Sequence, residues 1–377
     1  METTVVRESP IEIAEVPSAK AESRFYRPEL DALRFFAFFS VLIHHGPHAD
    51  NFFLSLTKAV GDYGLSMFFL LSGYLITELL LREHQQTGTV VWMKFFIRRA
   101  LRIWPLYFAA LAIAVALALI APQQLWVSWF GIATMSVFCT NWVLIGPQLG
   151  VLIGHLWSIS VEEQFYLIWA PIIKFGGKRL VLITSLIFFA VAGVWLAAFS
   201  AQGWRLWFQT PVEFLFFAAG ALIALQTSGK PLRAMSAATR GTLFLAGLVA
   251  LYAGSAIGCI GIDHVEGFSA AQLFVGYGCG AVGCGTIFFA ALGMPSVPRL
   301  LIYLGKISYG LYVFHIAMLK IATQVVPGSK GSALGMMSVD AVALILSIAV
   351  AHVSYQYLES PFLRLKERFT VIQSRPA

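Results

Sequence analysis

Three groups of side chains carry the chemistry that this sequence offers. The first is Asp31, Arg34, His44, His45 and His48. Arg34 and His45 stand eleven residues apart, which on a helix returns to within about 20° of one face and spans roughly 16 Å. Such a face presents a guanidinium at one level and an imidazole at another. Histidine is the side chain whose charge change falls near neutrality, so it suits proton transfer or nucleophilic attack. Asp31 can pair with Arg34 at i, i+3. The second group is Arg98, Arg99 and Arg102, an i, i+3/i+4 fork able to grip phosphate in bidentate fashion. Pro105 should then sit in the first turn of the span that follows. The third group runs from His155 to Tyr166 and holds Trp157, Ser160, Glu162 and Glu163. Ser160 and Glu163 fit a capping box, with both carboxylates in a first helical turn. The imidazole, indole and paired carboxylates suit a hydroxyl-rich acceptor. Each group also has a plainer reading: interfacial anchors, anionic headgroup contacts, and a helix cap.

The elements that must hold these groups are membrane helices. Of 377 residues, 58% are hydrophobic and 12% charged, and the mean hydropathy is +0.77. A soluble domain carries about twice that charge. These values exclude disorder and collagen-like repeats. Four Cys without a CxxC pair argue against a zinc site or a disulfide framework. At about 20 residues per crossing, ten spans fall near 31–50, 60–81, 103–121, 160–175, 180–199, 209–226, 241–260, 270–292, 307–326 and 338–358. The apolar stretch 123–150 is interrupted by Gly131, Asn141, Gly146, Pro147 and Gly150, and reads as re-entrant or interfacial. Residues 1–24 read as a disordered cytoplasmic tail, 25–363 as the transmembrane domain, and 364–377 as a basic cytoplasmic tail.

The net charge of +7 is topological rather than a sign of nucleic-acid binding. With both termini cytoplasmic, most of the 26 Lys+Arg lie on the inner side and only Lys58, Arg205 and Lys330 fall clearly outside. Making 123–150 a full span would invert everything after it. Phe69-Leu70-Leu71-Ser72-Gly73-Tyr74 reads as small-residue helix packing, because no G-x-S-x-G elbow surrounds Ser72. The composition also suits a proton-coupled exporter or flippase of a glycan intermediate, or a non-catalytic subunit of a glycan synthase.

Taken in order, the motifs resemble the acyltransferase 3 family of multi-span membrane O-acyltransferases. The matching pieces are Tyr26 to Arg34 with His45 completing R-x10-H, Phe68 to Ile76, Arg98-Arg99 with Arg102 to Tyr107, and His155 to Tyr166. Leu304 to Tyr312 with His315 follows, and Tyr357 to Phe362 closes the set. His44 beside His45, Tyr74 in place of the commoner Phe, and Ser360 in place of a basic residue depart from the family pattern. The resemblance implies a bacterial inner-membrane enzyme that moves an acyl group, usually acetyl, from cytoplasmic acyl-CoA to a glycan hydroxyl at the outer face. It implies no metal. His45 is then the catalytic centre, with Arg34 and Glu359 required beside it and Arg98, Arg99 and Arg102 on the donor. His155, Trp157, Glu162 and Glu163 are the candidates for acceptor binding. Many relatives continue into an SGNH hydrolase-like domain; this is expected to be the stand-alone form, with any second transfer made by a separate protein. Glu359, before Ser360-Pro361, is expected at the inner end of the last helix. The negative end of that dipole disfavours it, so it should pair with Arg34, Arg99 or Arg102.

Overall fold

Long runs of Leu, Phe, Ala, Ile and Val leave the backbone no solvent partner within a bilayer, and helices satisfy it internally. A computed structural model describes residues 25–47, 52–122, 125–143, 150, 152–258, 268–327 and 332–372. Residues 1–24, His48, Gly146, Pro147, Cys259, Lys330 and 373–377 with Arg375 lie outside the described residues. Fourteen α-helices are described: α1 Pro28–His45, α2 Phe52–Gly61, α3 Gly64–Thr87, α4 Trp92–Ile120, α5 Trp129–Ser136, α6 Thr140–Val143, α7 Trp157–Phe199, α8 Thr210–Thr227, α9 Ala237–Gly258, α10 Ala270–Ala291, α11 Arg299–Lys306, α12 Ser308–Val325, α13 Ala333–Ser354 and α14 Ser360–Glu367. Among the described residues the only strand-like pairing is a lone bridge between Val127 and Gly150. The protein is an all-α polytopic membrane protein.

Seven helical segments are long and apolar enough to cross a membrane, and α11 with α12, bent by 73°, makes an eighth. α7 has 43 residues, about 65 Å of helix against a hydrocarbon core near 30 Å. It breaks at Gly177, whose φ of 48° lies in the left-handed region, between the two spans expected at 160–175 and 180–199. α1 is less apolar than these segments, carrying Glu29, Asp31 and Arg34 within its 18 residues. Seven or eight candidate spans are thus fewer than the ten expected, and the difference lies at α1 and at α7, where two of the expected spans form one helical segment. Between Val127 and Val143 the chain forms only the short α5 and α6, too short to cross. Asn141 there donates to the Phe208 carbonyl and to Thr210 Oγ1, so protein covers this polar segment.

Three expected boundaries move. α4 starts at Trp92, which places Pro105 inside the helix rather than in its first turn; the winding begins early because Arg98 is tied to Glu83 of α3 at 3.0 Å. α7 starts at Trp157 behind a 3-10 turn, Gly154–Leu156, with no side-chain cap. Ser160 and Glu163 therefore form no capping box, and Glu162 and Glu163 lie beyond the first turn, because the chain enters the helix already wound. The last helix does not end at Glu359. A π-helical turn, Tyr355–Glu359, leads into α14 with Pro361 in its first turn. Glu359 thus meets no terminal dipole.

Close helix packing rests on glycine. A Cβ on Gly73 would lie 2.2 Å from the Phe217 carbonyl oxygen, and one on Gly220 would lie 2.0 Å from that of Leu70. α3 and α8 therefore touch backbone to backbone, beside the stacked rings of Phe69, Phe217, Phe165 and Trp169. Gly73→Val should cost about 1–3 kcal/mol through overpacking, seen as a lower melting temperature of the detergent-solubilised protein. An unchanged melting temperature would show that the contact is slack.

Candidate functional site

α1 is the polar axis of the bundle and packs against α2, α3, α11 and α12. Its arginine end holds Asp31, 3% exposed, which accepts from Arg34 Nη1 at 3.3 Å and from the Tyr26 hydroxyl at 3.1 Å. α4 brings Arg98, Arg99 and Arg102 to the same end. Arg98 is engaged twice, by Glu83 at 3.0 Å and by the Phe369 carbonyl at 2.9 Å. It ties α3, α4 and the segment after α14 together. Arg99 differs. Its guanidinium lies over the rings of Phe95 and Tyr166 at 5.5 and 5.6 Å, and its buried Nε has no partner. A cation held by aromatic faces, with Glu162 and Glu163 nearby but no close ion pair to either among the described residues, is suited to an incoming anion.

Three cavities adjoin along this axis. The first is lined by Arg27, Arg34, Arg98, Arg99, Arg102 and Lys366 among others. The second shares Arg34, Leu75, Arg99 and Arg102 with it and adds Ser72, Ser158, Glu162 and Tyr312. The third shares Leu65 and Tyr312 with the second and is walled by His44, His45, Asp62, His155, Trp157 and Trp207. The series runs from arginine to histidine.

At the histidine end the hydrogen bonds assign the tautomers. Tyr312 O accepts from His315 Nδ1 at 2.6 Å and from His155 Nε2 at 3.1 Å. A carbonyl only accepts, so His315 carries its proton on Nδ1 and has a lone pair on Nε2. That lone pair faces His45 Nδ1 at 3.4 Å, and the Val41 carbonyl lies 2.9 Å from the same nitrogen. Two acceptors place the His45 proton on Nδ1 and leave Nε2 with its lone pair, the form a base or nucleophile needs. His44 Nδ1 meets Asp62 Oδ1 at 2.9 Å.

The residues singled out in the sequence divide among these cavities. Arg34, Arg99, Arg102 and Glu162 come together; Ser72 donates to Glu162 at 2.7 Å. His155, in the turn before α7, and Trp157, at its start, lie with His45 rather than with Glu162. Glu163 lines none of the three cavities and faces Trp104. Glu359, 6% exposed, accepts from Ser354 at 3.2 Å, and Arg102 is the cation that acts on its carboxylate. Tyr312 and Asp62 carried no role in the sequence. Tyr312 lay within a recognised motif, whereas Asp62 had no signal at all.

With this geometry in hand, the comparisons define the class. A model of the acyltransferase 3 family, described as an acyltransferase domain, matches residues 27–355. The chain belongs to that family. Among proteins it is similar to are the YrhL protein of Bacillus subtilis, 26% identical over 370 residues, and the peptidoglycan O-acetyltransferase OatA of Listeria monocytogenes, 24% identical over 373. These alignments cover 91% and 90% of this chain but 56% of each relative, so the chain spans about half their length. The O-acetyltransferase OatA of Staphylococcus aureus is 32% identical over 165 residues, covering 41% of this chain and 26% of that one. No solved structure matches.

The Arg98–Glu83 tie sets a stability test. Removing one partner of a buried pair costs about 3–5 kcal/mol, so Arg98→Met should lower the unfolding free energy by that order in detergent. A variant as stable as the parent would show that the tie is dispensable.

Proposed function

We propose that this protein is a membrane O-acetyltransferase. It takes the acyl group of acyl-CoA at the arginine end and delivers it to a glycan hydroxyl, of the peptidoglycan type, at the histidine end. The observation that carries this reading is the series of adjoining cavities from Arg99 and Arg102 to His45, with cations at one end and an unprotonated imidazole nitrogen at the other. The relatives' names, peptidoglycan O-acetyltransferase among them, support acetyl as the group and a glycan as the acceptor. The excess of Lys and Arg in the loops on one side supports placing the arginine end in the cytoplasm of a cell inner membrane, with both termini inside.

Each residue then has a task. Arg99 and Arg102 hold the donor phosphates, and Arg99's unmatched Nε is the atom that gains a partner. Arg98 shapes the mouth through Glu83. Arg34, fixed by Asp31, lines both inner cavities and steadies the donor on its way in. Glu359 holds Arg102 from the far side through the π-turn. Glu162 faces the arginines across the second cavity and helps to orient them. His155 and Trp157, with Trp207, wall the acceptor's chamber, and indole faces suit a sugar ring. His45 Nε2 is the reacting nitrogen. The thioester reaches it past Leu65 and Tyr312, the wall shared by the second and third cavities.

Purified protein given radiolabelled acetyl-CoA and membrane glycan should move label to the glycan. His45→Ala should reduce that transfer by about 10²–10⁴-fold, the usual worth of an acid–base or nucleophilic imidazole; parental transfer by this variant would sink the assignment. Arg99→Ala removes a charge-assisted contact of about 1.5–3 kcal/mol. It should raise the donor KM at least about tenfold, with kcat nearly kept. A donor KM unaffected by Arg99→Ala would move the phosphate site elsewhere.

A further inference from the structure

Asp62, in the turn between α2 and α3, is 6% exposed. No Lys or Arg pairs with it among the described residues. Both oxygens are nonetheless engaged. Oδ1 lies 2.9 Å from His44 Nδ1, and Oδ2 accepts from Ser255 of α9 at 2.8 Å. A buried carboxylate held by a hydroxyl on one side and an imidazole on the other is a costly feature, and no packing role accounts for it. A carboxylate accepts, so His44 donates from Nδ1, and in the neutral ring the lone pair is on Nε2. Among the described residues nothing bonds that Nε2. The His44 ring lies on the same cavity as His45, with centroids 4.9 Å apart and planes at 87°.

The two neighbours are backed differently. His45 Nδ1 rests on a backbone carbonyl and a neutral ring nitrogen. His44 Nδ1 rests on a carboxylate, which offsets the positive charge that appears when the opposite nitrogen takes a proton. His45 has a lone pair on Nε2 and, on the other side of the ring, an N–H facing the Val41 carbonyl and the His315 Nε2 lone pair, acceptors that steady the ring as Nε2 bonds to carbon.

We propose that the adjacent histidines divide the transfer: His45 Nε2 carries the acyl group, and the His44–Asp62 pair takes the proton of the acceptor hydroxyl. This rests on the acyl-transfer reading above. In the first step His45 Nε2 bonds to the thioester carbon, the carbon–sulfur bond breaks, and its electron pair leaves with the thiolate of CoA. In the second, the acceptor oxygen bonds to the acyl carbon as the carbon–nitrogen bond breaks and its pair returns to His45 Nε2. The hydroxyl proton passes to His44 Nε2 and then to the water beyond the histidine end. The sum is an ester, a thiolate and one proton.

Rapid-quench release of CoA thiol and steady-state glycan labelling separate the two steps. His44→Gln should lower kcat about 10²–10⁴-fold while keeping the donor KM within twofold and a burst of thiol stoichiometric with enzyme. Asp62→Asn should act in the same direction, and Asp62→Glu should recover most of the loss. The proposal is overturned if His44→Gln and Asp62→Asn both turn over at the parental rate. It is equally overturned if the burst and the donor-dependent rise in melting temperature disappear with the turnover, because that pattern marks a structural role. Absence of any label transfer by the parent protein would instead remove the acyl-transfer reading itself.

Discussion

A helix carrying Glu29, Asp31, Arg34, His44 and His45 cannot face hydrocarbon, and that constraint organises the bundle. Ionisable groups at membrane depth cost several kcal/mol each unless protein surrounds and partners them. α1 accordingly packs against α2, α3, α11 and α12, with Glu29 and Asp31 buried and Phe36 and Phe39 left exposed. The packing is close enough that a Cβ on Gly305 of α11 would sit 1.8 Å from the Asp31 carbonyl oxygen. The 73° bend between α11 and α12 follows from the same demand. α11 must lie across the arginine end of α1, while α12 must run alongside it to bring Tyr312 and His315 to the histidine end.

Around this axis the polar groups are graded. Cations gather at one end, where carboxylates either consume them, as Glu83 does Arg98, or leave them open, as at Arg99. Glu162 and Ser72 form an intermediate polar layer. Beyond Tyr312 the field is set by neutral imidazoles whose protons are fixed by backbone carbonyls, with Asp62 as the one carboxylate on the third cavity. Such a gradient suits a ligand with an anionic head and a neutral reactive tail. The aromatic tier of Phe165, Trp169 and Phe217 and the glycine contact between α3 and α8 supply the rigidity that keeps these positions fixed. The helices themselves have no directional attraction for one another in lipid.

What the sequence by itself determined was the class and the axis. Composition and hydropathy decide a helical membrane protein, because a bilayer admits few other solutions. Helical periodicity puts Arg34 and His45 on one face and makes an arginine fork of 98, 99 and 102, because those relations are local. The family motifs add His45 as the centre. Span positions are legible for the same reason, and only their ends shift, where Pro105 and Pro361 are absorbed into continuing helices rather than ending them.

Partner choice was decided by the tertiary structure alone. Arg98, Arg99 and Arg102 are alike in sequence, yet one is spent on Glu83, one lies between aromatic faces, and one acts on Glu359. Glu162 and Glu163 are adjacent, yet one enters the cavity and the other faces Trp104. His44 and His45 are adjacent as well, and only the approach of the α2–α3 turn gives one of them a carboxylate. Neighbours on a helix point about 100° apart. Which packed element each one meets is therefore a long-range fact, and it is the long-range partner that fixes a side chain's proton, charge and use.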